Sequence, residues 1–167
     1  CEVLPTIPKG SIHMTMHSPP FGGLFQYSSS DRDLSNCKSY KEFLEHYEFI
    51  VAQESRILMP GRVACVHCCD VPRDGYMVDL PGDIVRLYEK HGFVFHDRKL
   101  IWKEPLRVAI RTRALSLRHS QIVKDATLCS SAGGDFIITM RKKGAVNQVD
   151  DSIQTGFEFD ETEDSED

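Results

Sequence analysis

The 167-residue sequence predicts an α/β domain built on a largely parallel sheet. Three observations carry that prediction. Strand-type and helix-type hydrophobic patterns alternate along the chain, the order in which parallel strands and their crossover helices occur. The length suffices for one buried core, and 41% hydrophobic with 27% charged residues excludes collagen-like, fully disordered and membrane classes. The first strand pattern stops abruptly at Ser18-Pro19-Pro20, because proline has no N–H with which to continue a ladder.

Ser11 to His17 alternates, with Ile12, Met14 and Met16 facing one way and His13, Thr15 and His17 the other, which is strand periodicity. Gly22 to Asn36 is rich in Ser and Gly and reads as a long, mobile loop. Ser39-Tyr40-Lys41-Glu42 is a capping box, and Tyr40, Phe43, Leu44, Tyr47, Ile50 and Val51 follow at helical spacing. This helix should stop near Leu58, with Pro60-Gly61 as the breaker. Arg62 to Cys68 is a short apolar run, read as a buried strand. Pro81 to His91 predicts a second helix with Ile84, Leu87 and Tyr88 on its apolar face and Gly92 at its C-cap. Phe93 to Trp102 predicts a strand, and Lys103 to Thr127 a basic, partly helical segment. Asp135 to Arg141 is the last strand, introduced by a Gly133-Gly134 turn. No internal repeat interrupts this order. A catalytic region over 1–144 is followed by an acidic tail over 145–167, expected to be disordered.

The net charge of −5 is unevenly spread. Nine of the 25 acids lie from Asp150 onward, where there is no Lys or Arg, so the rest of the chain sets 16 acids against 20 bases. A basic body of this kind can bind nucleic acid. The cations Arg98, Lys99, Lys103, Arg107, Arg111, Arg113 and Arg118 form a candidate phosphate-contacting surface, with a merely solvated face as the alternative. Cys65, Cys68 and Cys69 crowd one apolar run while Cys1, Cys37 and Cys129 stand apart. That is no disulfide framework, so reduced thiols and a cytoplasmic protein are expected. Neighbouring residues on a strand point to opposite faces. Cys65, His67, Cys68 and Cys69 therefore do not make a zinc site, and no metal is expected. His13 and His17 should pack against a covering helix. No apolar run reaches the ~20 residues of a membrane span, and the first residues lack the order of a signal peptide. They also lack a starting methionine, as a piece cut from a longer chain would.

Ser18-Pro19-Pro20-Phe21 carries the chemistry. In open α/β sheets ligands sit outside the carboxyl ends of strands, and this tetrapeptide is expected at the carboxyl end of a central strand, open to a cleft. The Ser18 hydroxyl and the Ser18 and Pro19 carbonyls are acceptors, the prolines fix the backbone, and Phe21 offers an aromatic face. Together they suit a planar ring with an exocyclic amine. Acceptors that take the amine hydrogens localise the nitrogen lone pair and make it a better nucleophile.

At this point the sequence resembles the beta-class amino-methyltransferases, which methylate an exocyclic nitrogen of adenine or cytosine in DNA with S-adenosylmethionine. Ile12 to Phe21 is similar to the family's motif IV, an Asp, Asn or Ser followed by Pro-Pro and an aromatic residue. The resemblance continues through Arg56 to Val63 and Gly92-Phe93 to Lys103, and weakly to Phe136-Arg141-Lys142, covering roughly residues 7 to 143. It implies a Rossmann-like methyltransferase sheet and a target base flipped into a pocket at motif IV. Ser18 and the Pro19 carbonyl would hold the amine, and Phe21 would stack the base, which could be adenine or cytosine. One departure matters. The family's cofactor turn carries a Gly-x-Gly spacing, which is absent from the eleven glycines here. The sheet is therefore expected to be incomplete, with the cofactor-loop half absent. The chain would be a fragment, one part of an enzyme completed by a second polypeptide, or a degenerate protein that has lost catalysis. The implied setting is prokaryotic or phage restriction-modification. The alternatives are a non-catalytic nucleic-acid-binding domain that keeps the fold, and a methyltransferase acting on RNA or a protein amide.

Overall fold

The computed structural model describes residues 2–20, 27–30, 32–73, 75–104, 123–125, 127 and 133–146. Phe21, Arg107, Arg111, Arg113, Arg118, Cys1, Cys129 and the acidic tail beyond residue 146 lie outside the described residues, as does almost all of the basic segment after Glu104.

The elements run β1 (Ile12–His17), α1 (Tyr40–Ile57), β2 (Leu58–Cys69), β3 (Val71–Arg73), β4 (Tyr76–Val78), α2 (Leu80–Lys90), β5 (Phe93–Trp102) and β6 (Gly134–Lys142). The main sheet has the order β1-β2-β6-β5. β1 pairs parallel to β2, and β6 is antiparallel to both β2 and β5. Thus β1, β2 and β5 share one direction and β6 is inserted between two of them against it. Hydrophobic pattern reports burial, not direction, so the reversed strand was invisible in the sequence.

Both helices form close to where the sequence places them. Ser39 Oγ accepts from the Glu42 N–H at 3.1 Å, while the Glu42 carboxylate accepts from the Lys38 N–H at 2.7 Å. α2 is capped by Asp79, whose side chain accepts from the Gly82 N–H at 2.8 Å. From α1 the buried residues are Phe43, Tyr47, Val51, Glu54 and Ile57, and from α2 they include Leu80, Ile84 and Tyr88. They pack on Ala64, Val66 and Cys68 of β2 and on Ile138 and Met140 of β6. Both helices therefore cover the same face of the sheet.

Several expectations need correction. The helix stops where expected, α1 ending at Ile57, but β2 begins at once at Leu58 and runs through Pro60-Gly61 instead of starting at Arg62. The register jumps from Ile12↔Leu58 to Met14↔Val63, a bulge that absorbs the proline. The same irregularity puts Ile12 against the core instead of beside Met14 and Met16, and it leaves His13 exposed while His17 lies under the helices. β1 is an edge strand of the described sheet, not a central one. Gly134 belongs to β6 rather than to a turn before it, and the β3–β4 hairpin was not foreseen. The described part of the 22–36 loop is tied down: Asn36 Nδ2 donates to the Ser28 and Ser30 carbonyls at 2.9 and 2.8 Å.

Gly61 has a φ of +76°, and a Cβ there would lie 2.7 Å from Val146 Cγ2 and 3.0 Å from Val146 Cα. Both backbone strain and a clash follow. Gly61→Ala is expected to cost ~2 kcal/mol, read as a lower midpoint in thermal unfolding. An unchanged midpoint would show that the bulge is free to rearrange.

Candidate active site

The carboxyl ends of β1, β2 and β5 lie together, with the amino end of β6 among them. β1 delivers Ser18, which is exposed, then the buried Pro19 and the half-buried Pro20. Beside Pro20, between α1 and the N-terminal segment, runs a groove of about 830 Å³, also lined by Leu34, His46, Phe49 and Ile50. Ser18 to Pro20 therefore lie at a strand end, and of the three only Pro20 lines the groove. Phe21, the fourth member, is outside the described residues.

The strand end is held from beneath by a buried polar ring that the motif did not announce. His17, the residue before Ser18, places Nε2 at 2.7 Å from the Tyr47 hydroxyl and Nδ1 at 3.1 Å from Glu54 Oε1. The other Glu54 oxygen accepts from the Tyr88 hydroxyl, and the Tyr47 and Tyr88 hydroxyls also hydrogen-bond each other. Glu54 is only 4% exposed. Burial first, and then the Glu54 charge, pushes the Tyr47 phenol above its ordinary range, and burial does the same for Tyr88. Both remain neutral hydroxyls that serve the ring. A signal existed in the sequence: Glu54 follows Phe43, Tyr47 and Val51 on one helical stripe, and a carboxylate there must find partners.

On the opposite sheet face, Asp135 forms a second cluster. His67 Nε2 lies 2.6 Å from Asp135 Oδ2, and Lys103 Nζ donates to the same oxygen. Lys103, expected to face phosphates, is thus engaged by a buried carboxylate. Lys99 pairs with Asp97 at 2.6 Å. Arg98 lies instead on the helix side, its guanidinium 5.8 Å from the Phe95 ring centre and 5.5 Å from that of Phe136. The three described cations of the basic stripe therefore do not share one face. Cys68 and Cys69 are buried, and burial, with Cys69 nearby, pushes the Cys68 thiol up to about 12. Cys65 and His67 point to the other face. Among the described residues, no three His, Cys, Asp or Glu side chains gather as a metal site would need. No described helix is long and apolar enough to cross a membrane.

No protein-family model and no curated protein matches the chain. Solved structures do match it. A protein of Thermus thermophilus, provisionally described as a DNA modification methylase, aligns with a TM-score of 0.64 at 22% identity, over 90% of this chain and 54% of that one. Its complex with S-adenosyl-L-methionine aligns at 0.61 and 21%, over 90% and 56%. The cytosine-N4-specific PvuII DNA methyltransferase aligns at 0.59 and 16%, over 85% and 46%. The fold is the Rossmann-like α/β sheet of these methyltransferases, and the chain spans about half their length.

Removing Glu54 would leave His17 Nδ1 and the Tyr88 hydroxyl without their acceptor. Glu54→Ala is expected to cost ~3 kcal/mol and Tyr47→Phe, which removes a neutral link, ~1 kcal/mol, both measured by urea unfolding. Equal, small losses would show that the ring does not hold the strand end.

Proposed function

We propose that this chain is the base-binding half of an S-adenosylmethionine-dependent DNA methyltransferase acting on the exocyclic amine of adenine or cytosine. The observation that carries the reading is Ser18-Pro19-Pro20 at the carboxyl end of β1 in a methyltransferase-like sheet. The matched structures supply the substrate class, since two of them are described as acting on DNA and one holds S-adenosyl-L-methionine.

The residues fit the amine side of such a site. The Ser18 hydroxyl and Pro19 carbonyl accept the two amine hydrogens, which leaves the nitrogen lone pair localised and directed away from them. Pro20 limits the backbone freedom of that arrangement, and Phe21 supplies a face on which the extruded base stacks. His17, gripped by Glu54 and Tyr47, holds the strand from which these acceptors project. S-adenosylmethionine, when bound, supplies an electrophilic methyl group.

The same residues do not fit the cofactor's cradle. A cofactor of this type needs close approach of backbone at a glycine turn beside a strand's carboxyl end. Of the described glycines with positive φ, Gly10, Gly61, Gly92 and Gly144 sit at the other end of the sheet, and Gly75 sits in the β3–β4 hairpin. β1 has no neighbour on its outer side among the described residues, and its own Met14 and Met16, on the sheet face away from the helices, are 56% and 61% exposed. An uncovered edge of this kind is a docking line for further strands. In the proposed enzyme those strands carry the glycine turn, in cis or on a second polypeptide.

Titration calorimetry of this chain with S-adenosylmethionine should therefore give no binding at micromolar concentrations. Joining a segment that supplies the glycine turn should restore both binding and methyl transfer. Micromolar binding by the chain alone would overturn the division of labour. Phe21→Ala should weaken the hold on an extruded base by ~1–3 kcal/mol, measured on duplexes carrying one unpaired adenine or cytosine, while Ser18→Ala in the completed enzyme should lower kcat ~10²-fold.

A further inference from the structure

The His67 cluster, on the sheet face away from the helices, lies one strand from Ser18. β1 and β2 run parallel with Met16 opposite Cys65 and His17 opposite Val66. One step further, Ser18 stands level with His67, about 4.8 Å away at the usual strand spacing. A residue before proline keeps extended backbone, so the alternation of β1 carries past Met16 and puts the Ser18 side chain on the face of Cys65 and His67. His67 is held there by one nitrogen. Its Nε2 lies 2.6 Å from Asp135 Oδ2, and Asp135, itself buried, also accepts from Lys103 Nζ. A carboxylate with a cation beside it only accepts, so Nε2 carries the proton and Nδ1 of the neutral ring is left as a lone pair. With Nε2 turned to β6, Nδ1 faces the β1 side, and among the described residues no hydrogen bond engages it.

We infer that His67 makes Ser18 an acceptor and so sets the choice of an amine over a carbonyl. The need arises from the chemistry of a hydroxyl, which, unlike the Pro19 carbonyl, both donates and accepts. A free Ser18 would turn its proton toward a uracil or hypoxanthine oxygen as readily as it would accept one from cytosine or adenine. Discrimination requires that proton to be engaged elsewhere. With the Ser18 O–H donated to His67 Nδ1, only oxygen lone pairs face the base. A carbonyl presented there meets lone pairs and leaves acceptors unpaired, the arrangement that separates hydrogen-bonding groups most strongly. His67 is thus a specificity-determining residue acting through Ser18, and Asp135 fixes its tautomer. Protonation reverses the logic: an Nδ1–H donates to Ser18, whose own proton then points to the base. The charged groups facing His67 are Asp135 from β6 and Lys103 after β5. Its own strand adds Cys65, 3.9 Å from the Thr139 hydroxyl, and Cys69, while β1 presents Met16 and Ser18, neither of them charged. The inference rests on the amine-reading part of the proposed function.

The full chain is titrated with duplexes carrying one unpaired cytosine or uracil, reading the anisotropy of labelled DNA. The unaltered chain should prefer cytosine about tenfold. His67→Gln keeps an amide donor for Asp135 but has no group in place of Nδ1. It should bring the preference to within about twofold with an unchanged circular dichroism spectrum, whereas a merely structural loss would lower both affinities together and leave their ratio. Lowering the pH until the imidazole signals of His67 show it protonated should erase the preference of the unaltered chain. A preference that survives His67→Gln, or one indifferent to protonation of His67, would overturn the inference. Nitrogen NMR of the free chain tests the pair without DNA: Ser18→Ala should move the His67 Nδ1 resonance, and an unmoved resonance would overturn the pair. A moved resonance with no preference between cytosine and uracil would leave the hydrogen bond standing and overturn the amine reading instead, so the two failures are separable.

Discussion

Glu54 projects from α1 with 4% of its surface in water, pairs with His17 at the end of β1, and accepts a hydrogen bond from Tyr88 of α2. A carboxylate removed from solvent is tolerated only where its lone pairs are satisfied, and here satisfying them requires three separate elements to be in place at once. The consequence reaches the proposed site by one residue. His17 is adjacent to Ser18, so whatever fixes the imidazole fixes the backbone from which Ser18 and Pro19 present their oxygens. Burial that raises the Tyr47 and Tyr88 phenols keeps both as hydroxyl partners across the working pH range, so this support does not depend on their ionisation.

The sheet built on that anchor is asymmetric. Its helix side carries the core, from Phe43 and Tyr47 through Val66 to Ile138 and Met140, and is open only along the far part of β5, where Leu100 and Trp102 are exposed. Its other side shows Met14 and Met16 to solvent, and β1 is unpaired along its outer edge among the described residues. The chain covers only about half of the structures that match it, which fits strands added at that edge. With such strands in place, β1 would become an interior strand and Ser18 would sit at the switch point where α/β sheets place their ligands. In the described sheet β1 is an edge strand and the expectation of a central one is not met; it would be met only in the enlarged sheet proposed above.

Much of this was legible in the sequence, and for definite reasons. Helix starts are local, so Ser39 marked the beginning of α1 and Pro81 that of α2 within a residue or two, and Phe93–Trp102 was bounded by a glycine and by its own composition. The end of β1 before Ser18 was legible because two prolines after an alternating run leave the chain few options. What the sequence hid was long-range. The direction of β6, the bulge that swallows Pro60, and a second bulge, between Phe95 and Asp97, that lines up Arg98 with Leu100 and Trp102 are set by pairing between distant strands. The basic stripe misled for a related reason: Lys103 and Lys99 are cations in the sequence, but Asp135 and Asp97 engage them in the fold. Of the described part of that stripe, Arg98 alone lies on an aromatic surface.

The central claim is that acceptors at the end of β1 read an amine. It is tested most directly by comparing bases that differ in that group alone. Duplexes carrying one unpaired cytosine or uracil, and one unpaired adenine or hypoxanthine, are titrated against the chain at fixed salt. The amine-bearing base of each pair should bind more tightly by ~1–3 kcal/mol, because its carbonyl-bearing counterpart sets oxygen against oxygen and leaves acceptors unpaired. Ser18→Ala should shrink the difference, since it removes one of the acceptors. Equal affinities within each pair, or a preference for uracil and hypoxanthine, would contradict the assignment of Ser18 and Pro19 as the groups that hold the reacting nitrogen.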